Sequence, residues 1–272
     1  MFPSGFYRDE NGELNVQGIK IDALTAKYGT PLFIYDTGLM KERYELFLNT
    51  VKNVKGNIHY AVKANDSVNI IKFFGKLGAG ADIVSIGEFH KCIAAGITPE
   101  KIIFSGVGKD KNEIETAIRN NILQFNIESE EELDDIYEIA SKLKLTANIC
   151  LRINPDIAPN THKKISTGEK ETKFGIDNED ILSIYEKLHK LKYINPVGLG
   201  VHIGSQIFDF NFFHKAYLNL KTVADKLKSN GFKVPTLDLG GGIGIYYDQN
   251  KNPDFDTYKK VISDLFLDSE YK

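Results

Sequence analysis

The sequence predicts an α/β chain built as a (β/α)8 barrel, and three observations carry that expectation. Short apolar, β-rich runs alternate with amphipathic helical patterns along the 272 residues. Strands with a helix between each pair must lie parallel, because only a crossover connection returns the chain in the same direction. Around seven such units in one chain favour a barrel over an open sheet. The chemically unusual side chains also gather at the C-terminal ends of the runs, which in a barrel form the active-site rim.

Taken in order, the chain has a polar start and then a first apolar run, PLFIYD, at 31–36. NIHYAVKA at 57–64 is followed by the helical pattern SVNIIKFFGKLG, ADIVS at 81–85 by GEFHKCIAAG, and KIIFSG at 101–106 by KNEIETAIRNN. LQFNIES at 123–129 leads into SEEELDDIYEIASKLK, where Ser129 and Glu132 have the spacing of a capping box. ANICLRINP at 147–155 opens the longest irregular stretch, 155–177, and a connection of that length reads as a functional loop. VGLGVHIGS at 197–205 and TLDLGGG at 236–242 complete the runs, and FDTYKKVISDLFLD reads as a closing helix. The rim so defined carries Lys63, Ser85, Ser105, Gly106, Arg152, Asn154, His202, Ser205 and Gly240 to Gly242.

Composition narrows the function classes. Hydrophobic residues make up 42% and charged residues 26%, as in an ordinary soluble globular protein. A net charge of -3 argues against nucleic-acid and anionic-membrane partners, which need a concentrated positive field. Cys92 and Cys150 lie in apolar stretches and read as buried small hydrophobes, not as a disulfide framework. No apolar run reaches the roughly 18 residues of a membrane span, and the first residues lack a signal-peptide core. The expectation is a cytoplasmic chain.

Strand alternation puts His59, Ala61 and Lys63 on one face. If that face lines the barrel, Lys63 is partly desolvated, its pKa falls, and its amine can form a Schiff base. The plainer alternative is a strand-end lysine reaching water. His202 suits a general base, a metal ligand or a flat surface against an aromatic ring. No carboxylate or second histidine stands at ligand spacing nearby, which argues against a metal. The common alternative is a hydrogen-bonded core histidine. Ser205 offers a hydroxyl to a phosphate, and GGGIG at 240–244 lets backbone N–H groups approach one without Cβ obstruction. Alone, that glycine run is equally a tight turn. A reactive amine, a flat imidazole and a phosphate cradle on one rim together describe a pyridoxal phosphate site.

YAVKAN, GADIVSIGE, FSGVGK, FNIES, LRINPD, THKKISTG, KFGI, HIGSQ and LDLGGGIGI occur in that order between about Gly29 and Asp248. In them the sequence resembles fold-type III pyridoxal enzymes and, more closely, the diaminopimelate decarboxylases. The resemblance implies a barrel of the alanine racemase/decarboxylase type with pyridoxal 5'-phosphate bound to Lys63 and covered by His202. Ser205 and the backbone of Gly240, Gly241 and Gly242 would hold the phosphate, with Asp82, Glu88 and Arg152 close to the cofactor. Thr161 to Gly175 resembles the family's loop that closes over substrate. The implied reaction is that of a carboxy-lyase, meso-2,6-diaminopimelate to L-lysine and CO2 at the end of lysine biosynthesis, in a homodimer acting on a small amino acid.

The family continues into an eighth strand bearing an EPGR motif and a C-terminal β-domain, and neither occurs in these residues. The resemblance therefore divides the chain into 1–36, a segment normally joined to the β-domain, and 37–272, a barrel lacking its eighth strand. PLFIYD could supply an eighth strand only by count. Such a barrel exposes the edges of its first and seventh strands. Without the EPGR glutamate, which holds the proton on the cofactor's ring nitrogen, these residues alone are expected to be poorly active. Three alternatives are a pyridoxal phosphate carrier barrel, an ornithine- or arginine-type decarboxylase, and a remnant with no activity. THKKISTG, KFGI and HIGSQ favour a decarboxylase over a carrier, and the KISTG segment favours diaminopimelate.

Overall fold

The first residues with described structure already depart from the expected polar lead-in. The computed structural model describes residues 5–157, 174–247 and 253–272. It opens with an antiparallel sheet of β1 (Phe6–Arg8), β2 (Leu14–Val16) and β3 (Ile19–Lys20), in that order. Asp9 closes its first turn by accepting from the backbone N–H groups of Asn11 and Glu13, each at 3.0 Å. A helix, α1 (Ile21–Tyr28), follows. The expected run PLFIYD makes no strand. Phe33 is 84% exposed, and the segment ends in a different task. The Asp36 carboxylate accepts from Gly38 N (2.8 Å) and Leu39 N (3.1 Å), capping α2 (Thr37–Val51).

From there strands and helices alternate as expected. The order is β4 (His59–Ala61), α3 (Val68–Lys76), β5 (Gly80–Ile83), α4 (Ile86–Ala95), β6 (Ile102–Phe104), α5 (Lys111–Arg119), β7 (Gln124–Ile127) and α6 (Glu130–Leu143). Then come β8 (Ala147–Asn154), β9 (Ile176–Asp177), α7 (Ile181–Leu188), β10 (Ile194–Val201), α8 (Phe210–Ser229), β11 (Thr236–Asp238) and α9 (Phe255–Phe266). One parallel sheet runs β4-β5-β6-β7-β8-β10-β11, with the short β9 pairing alongside β8. Most of the expected loop 155–177 lies outside the described residues, and β9 is its far end.

Alternation along the strands separates two environments. Ile83, Phe104, Phe125, Ile127, Leu151 and Leu199 are buried in one core with the helices. On the other face stand Asp82, Ser105, Gln124, Asn126, Glu128, Cys150, Arg152 and Asp238, so the inside of the curved sheet is polar. Gly200 in β10 belongs to that inner face: a methyl there would press on Asp238 Cβ at 3.2 Å and Cys150 Sγ at 3.4 Å. Cys92 and Cys150 are buried free thiols, as read from the sequence. Among the described residues no helix is long and apolar enough to cross a membrane.

The helix ends follow their side chains. Asp110 accepts from Asn112 N and Glu113 N, while Glu113 returns the bond from Asp110 N at 3.1 Å, a complete capping box on α5. At α6 only half of the expected box forms. Ser129 accepts from Glu132 N, but the Glu132 carboxylate takes Glu128 N at 2.8 Å instead of Ser129 N. Beyond α9 the chain returns to the sheet: Lys272 N donates to Pro235 O (3.1 Å) and Leu237 N to Lys272 O (2.9 Å). That pairing is parallel and lies along β11, and among the described residues β4 is the edge at the other end.

Candidate active site on the strand ends

The inner faces of four strands build one hydrogen-bonded chain. Ser105, just past β6, donates its hydroxyl to Asp82 Oδ1 at 2.7 Å. Asn126 of β7 donates to Ser105 Oγ (3.1 Å) and to Asp238 Oδ2 (2.8 Å), and its own carbonyl accepts from Gln124 Nε2 (2.8 Å). Asp238 Oδ1 accepts from Gly240 N at 2.9 Å. Burial pushes the Asp82 carboxyl up to about 7; Asp238 adds to the rise, and Ser105, Lys63 and Arg152 pull against it.

A second chain runs outward along the rim. Lys109 is fully buried and donates to Gly106 O (2.6 Å), Asn126 O (2.9 Å) and Glu132 Oε1 (2.6 Å), its ammonium 5.5 Å from the Phe104 ring centre. Glu128 holds Arg152 through two contacts of 2.8 and 3.1 Å, and also accepts from Gly175 N at 3.2 Å. Arg152 in turn donates to the His202 carbonyl at 3.1 Å and lies 5.0 Å from the Phe174 ring centre. Both ends of the Glu128–Arg152 pair are nearly enclosed, where an ion pair needs this degree of hydrogen bonding to offset its desolvation.

His202 is half-buried, and Gly241 N points at its Nδ1 from 3.4 Å. Burial, with the charges of Arg152 and Lys63, lowers its imidazole to about 3, so the ring is neutral at ordinary pH. The glycine loop lies directly against this segment. A methyl on Gly242, whose φ is 109°, would strike the Gly204 carbonyl and reach within 3.6 Å of the Ser205 Cα, whereas one on Gly241 would meet nothing within 4 Å. Ser205 is exposed beside that loop.

Lys63 is the main correction. Instead of continuing β4 with its side chain held inside, it falls in a single 3-10 turn, Val62–Ala64, and is exposed. The turn closes through Asn65 N to Val62 O at 3.0 Å, and Val62 takes the fully buried place. Its positive charge still acts on both Asp82 and His202. Glu88 is also diverted: its carboxylate accepts from Val84 N at 2.8 Å at the start of α4. The Gly240 N–H, expected on a phosphate, is given to Asp238. Of the expected loop over substrate, residues 161–173 lie outside the described residues. Sequence reasoning missed Asn126 and Asp238. The polar alternation Gln124, Asn126, Glu128 and the lone acid in TLDL were the available signals.

The model of the family described as pyridoxal-dependent decarboxylase, pyridoxal binding domain, matches residues 37–269. The chain belongs to that family. Among other members, it is 42% identical to the diaminopimelate decarboxylase of Aquifex aeolicus over 96% of this chain and 61% of that protein. The diaminopimelate decarboxylase of Zymomonas mobilis is also 42% identical, over 93% and 61%. The chain thus spans about three-fifths of the length of these pyridoxal-dependent decarboxylase relatives. A crystal structure of the Helicobacter pylori diaminopimelate decarboxylase complexed with L-lysine superposes with a TM-score of 0.89 at 37% identity, over 92% of this chain and 64% of that one. The parallel, curved sheet described above is therefore the fold of this decarboxylase domain.

Proposed function

We propose that this chain carries the pyridoxal 5'-phosphate site of a diaminopimelate decarboxylase, which converts meso-2,6-diaminopimelate to L-lysine and CO2. The observation that carries the reading is the grouping of an exposed lysine amine, a neutral imidazole and an open glycine loop on the same strand ends. The residues fit the group. Lys63 presents an accessible amine as anchor, and His202 a flat, uncharged face. The room beside Gly241 suits a phosphate taken by Gly241, Gly242 and Ser205. Bound there, pyridoxal 5'-phosphate supplies an electron sink for the pair left when the bond to the substrate carboxylate breaks.

The protein's own residues do the holding. Arg152, fixed by Glu128, sets the His202 backbone and so the direction in which its ring would face the cofactor. Asp82 places a carboxyl of near-neutral pKa where the Lys63 charge reaches it. The full-length protein is read as a cytoplasmic homodimer in which residues 1–36 join a second, β-rich domain and residues 37–272 bind the cofactor.

Two measurements test this. Mixing the protein with pyridoxal 5'-phosphate should give a visible absorbance band that Lys63→Ala abolishes; a band unchanged in the variant refutes the anchor. Full-length protein given meso-diaminopimelate, ornithine, arginine or lysine should release CO2 from the first alone. Preference for ornithine or arginine would support the other decarboxylase reading, and cofactor binding without any CO2 would support a carrier.

A further inference from the structure

We propose that Asn126 and Asp238 are positioning residues for the glycine loop: their bond across the barrel interior fixes Gly240 and so sets how tightly the loop retains a ligand's phosphate. The proposal rests on the cofactor reading above and adds residues that touch no ligand themselves.

The argument begins with the distance in sequence. Asn126 and Asp238 are 112 positions apart, on β7 and β11, and their 2.8 Å hydrogen bond passes over β8 and β10 between them. The backbone ladders already hold those four strands in order, so the curve of the sheet needs no polar bridge inside it. A buried amide and carboxylate are costly unless satisfied. Here they are satisfied in a way that points at the loop. Among the described residues each Asp238 oxygen has one hydrogen-bond partner: Oδ2 takes Asn126, and Oδ1 takes the first N–H of the glycine run.

The direction of the bonds is determined as well. Gln124 donates to Asn126 Oδ1, so the Asn126 amide nitrogen faces Ser105 and Asp238. Ser105 then donates its own hydroxyl hydrogen bond to Asp82, which feels the Lys63 charge. One relay thus spans the interior from the amine end of the site to the loop end. Only a glycine fits at 240: its φ is 66°, and a methyl there would strike the Val201 carbonyl and come within 3.2 Å of His202 Nδ1. The far end of the loop is pinned separately, with Gly242 O accepting from Ile207 N (3.0 Å) and Gly244 N donating to Ile207 O (2.9 Å). Loss of the Asp238 contact therefore acts on the first turn of the loop, where Gly240 N is held.

The test compares pyridoxal 5'-phosphate with pyridoxal, which lacks the phosphate, by equilibrium binding to the full-length protein. Asp238→Asn leaves one carbonyl oxygen for two donors, the Asn126 amide and Gly240 N, and Asn126→Asp sets carboxylate against carboxylate. Each should weaken the phosphorylated ligand about tenfold and pyridoxal less than about twofold. The double swap, Asn126→Asp with Asp238→Asn, restores one donor and one acceptor and should recover most of the lost discrimination. Equal weakening of both ligands, or no recovery in the swap, overturns the proposal. If the single variants fail to fold, the swap alone decides: wild-type discrimination supports the proposal, and its loss overturns it. Wild-type protein that retains neither ligand overturns the cofactor reading itself, and this inference with it.

Discussion

Asp82 holds a proton that the unfolded chain would release near pH 4, because burial lifts its carboxyl to about 7 in the folded protein. Between those two values the folded state binds more protons than the unfolded one. The stability contributed by the protonated carboxyl is complete below about pH 4 and is lost as pH rises through 7. His202 behaves in the opposite sense, because its folded value is lowered to about 3. That contribution is common to wild type and Asp82 variants and cancels between them. Asp82→Asn should therefore gain on wild type by on the order of 1 kcal/mol per pH unit between about 4 and 7. Urea denaturation at several pH values checks this, and parallel profiles for the two proteins would refute it.

At the scale of single elements, the Lys109–Glu132 pair joins the β6 end, the β7 end and the first turn of α6. Removing one partner of a buried pair leaves an uncompensated charge, which typically costs about 3–5 kcal/mol. Lys109→Met should show a loss of that order in urea, and Lys109→Met with Glu132→Leu should recover a large part of it. A double variant as unstable as the sum of its singles would show that the two side chains act separately. The same pair explains what was legible in the sequence. Helices α3 to α6 follow from their amphipathic patterns, yet the box expected at Ser129 is only half made, because Glu132 is drawn to Lys109 and Glu128 N. Motif spacing shows which residues can bond and not which partner wins. Lys63 makes the related point for strands, since alternation assumes that the strand continues, and β4 ends at Ala61.

For the whole molecule, the parallel arrangement was readable because apolar runs alternate with helical patterns, and composition plays no part in that inference. The antiparallel sheet at 6–20 was not. Its strands are two or three residues long and rest on turn hydrogen bonds such as those of Asp9, with no periodic pattern to show them. The sheet also has unequal ends. β8 and β10 have eight residues each and strands on both sides, while β4 has three and, among the described residues, a strand on one side alone. Hydrogen exchange of the 272-residue chain should find the slowest amides at Ile149, Leu151 and Leu199, and much faster ones at Tyr60 and in β1 to β3. Uniform protection would contradict this.

The missing side chain at Gly200 also bears on inheritance. The space it leaves is bounded by the Asp238 Cβ and the Cys150 sulfur, so an alanine at 200 requires the Asp238 strand to give by a few tenths of an ångström. Positions 150, 200 and 238 lie on three neighbouring strands, and a change at one alters which residues the other two can accept. A larger residue at 200 would therefore act on the carboxylate at the start of the glycine run, through the strand that carries it.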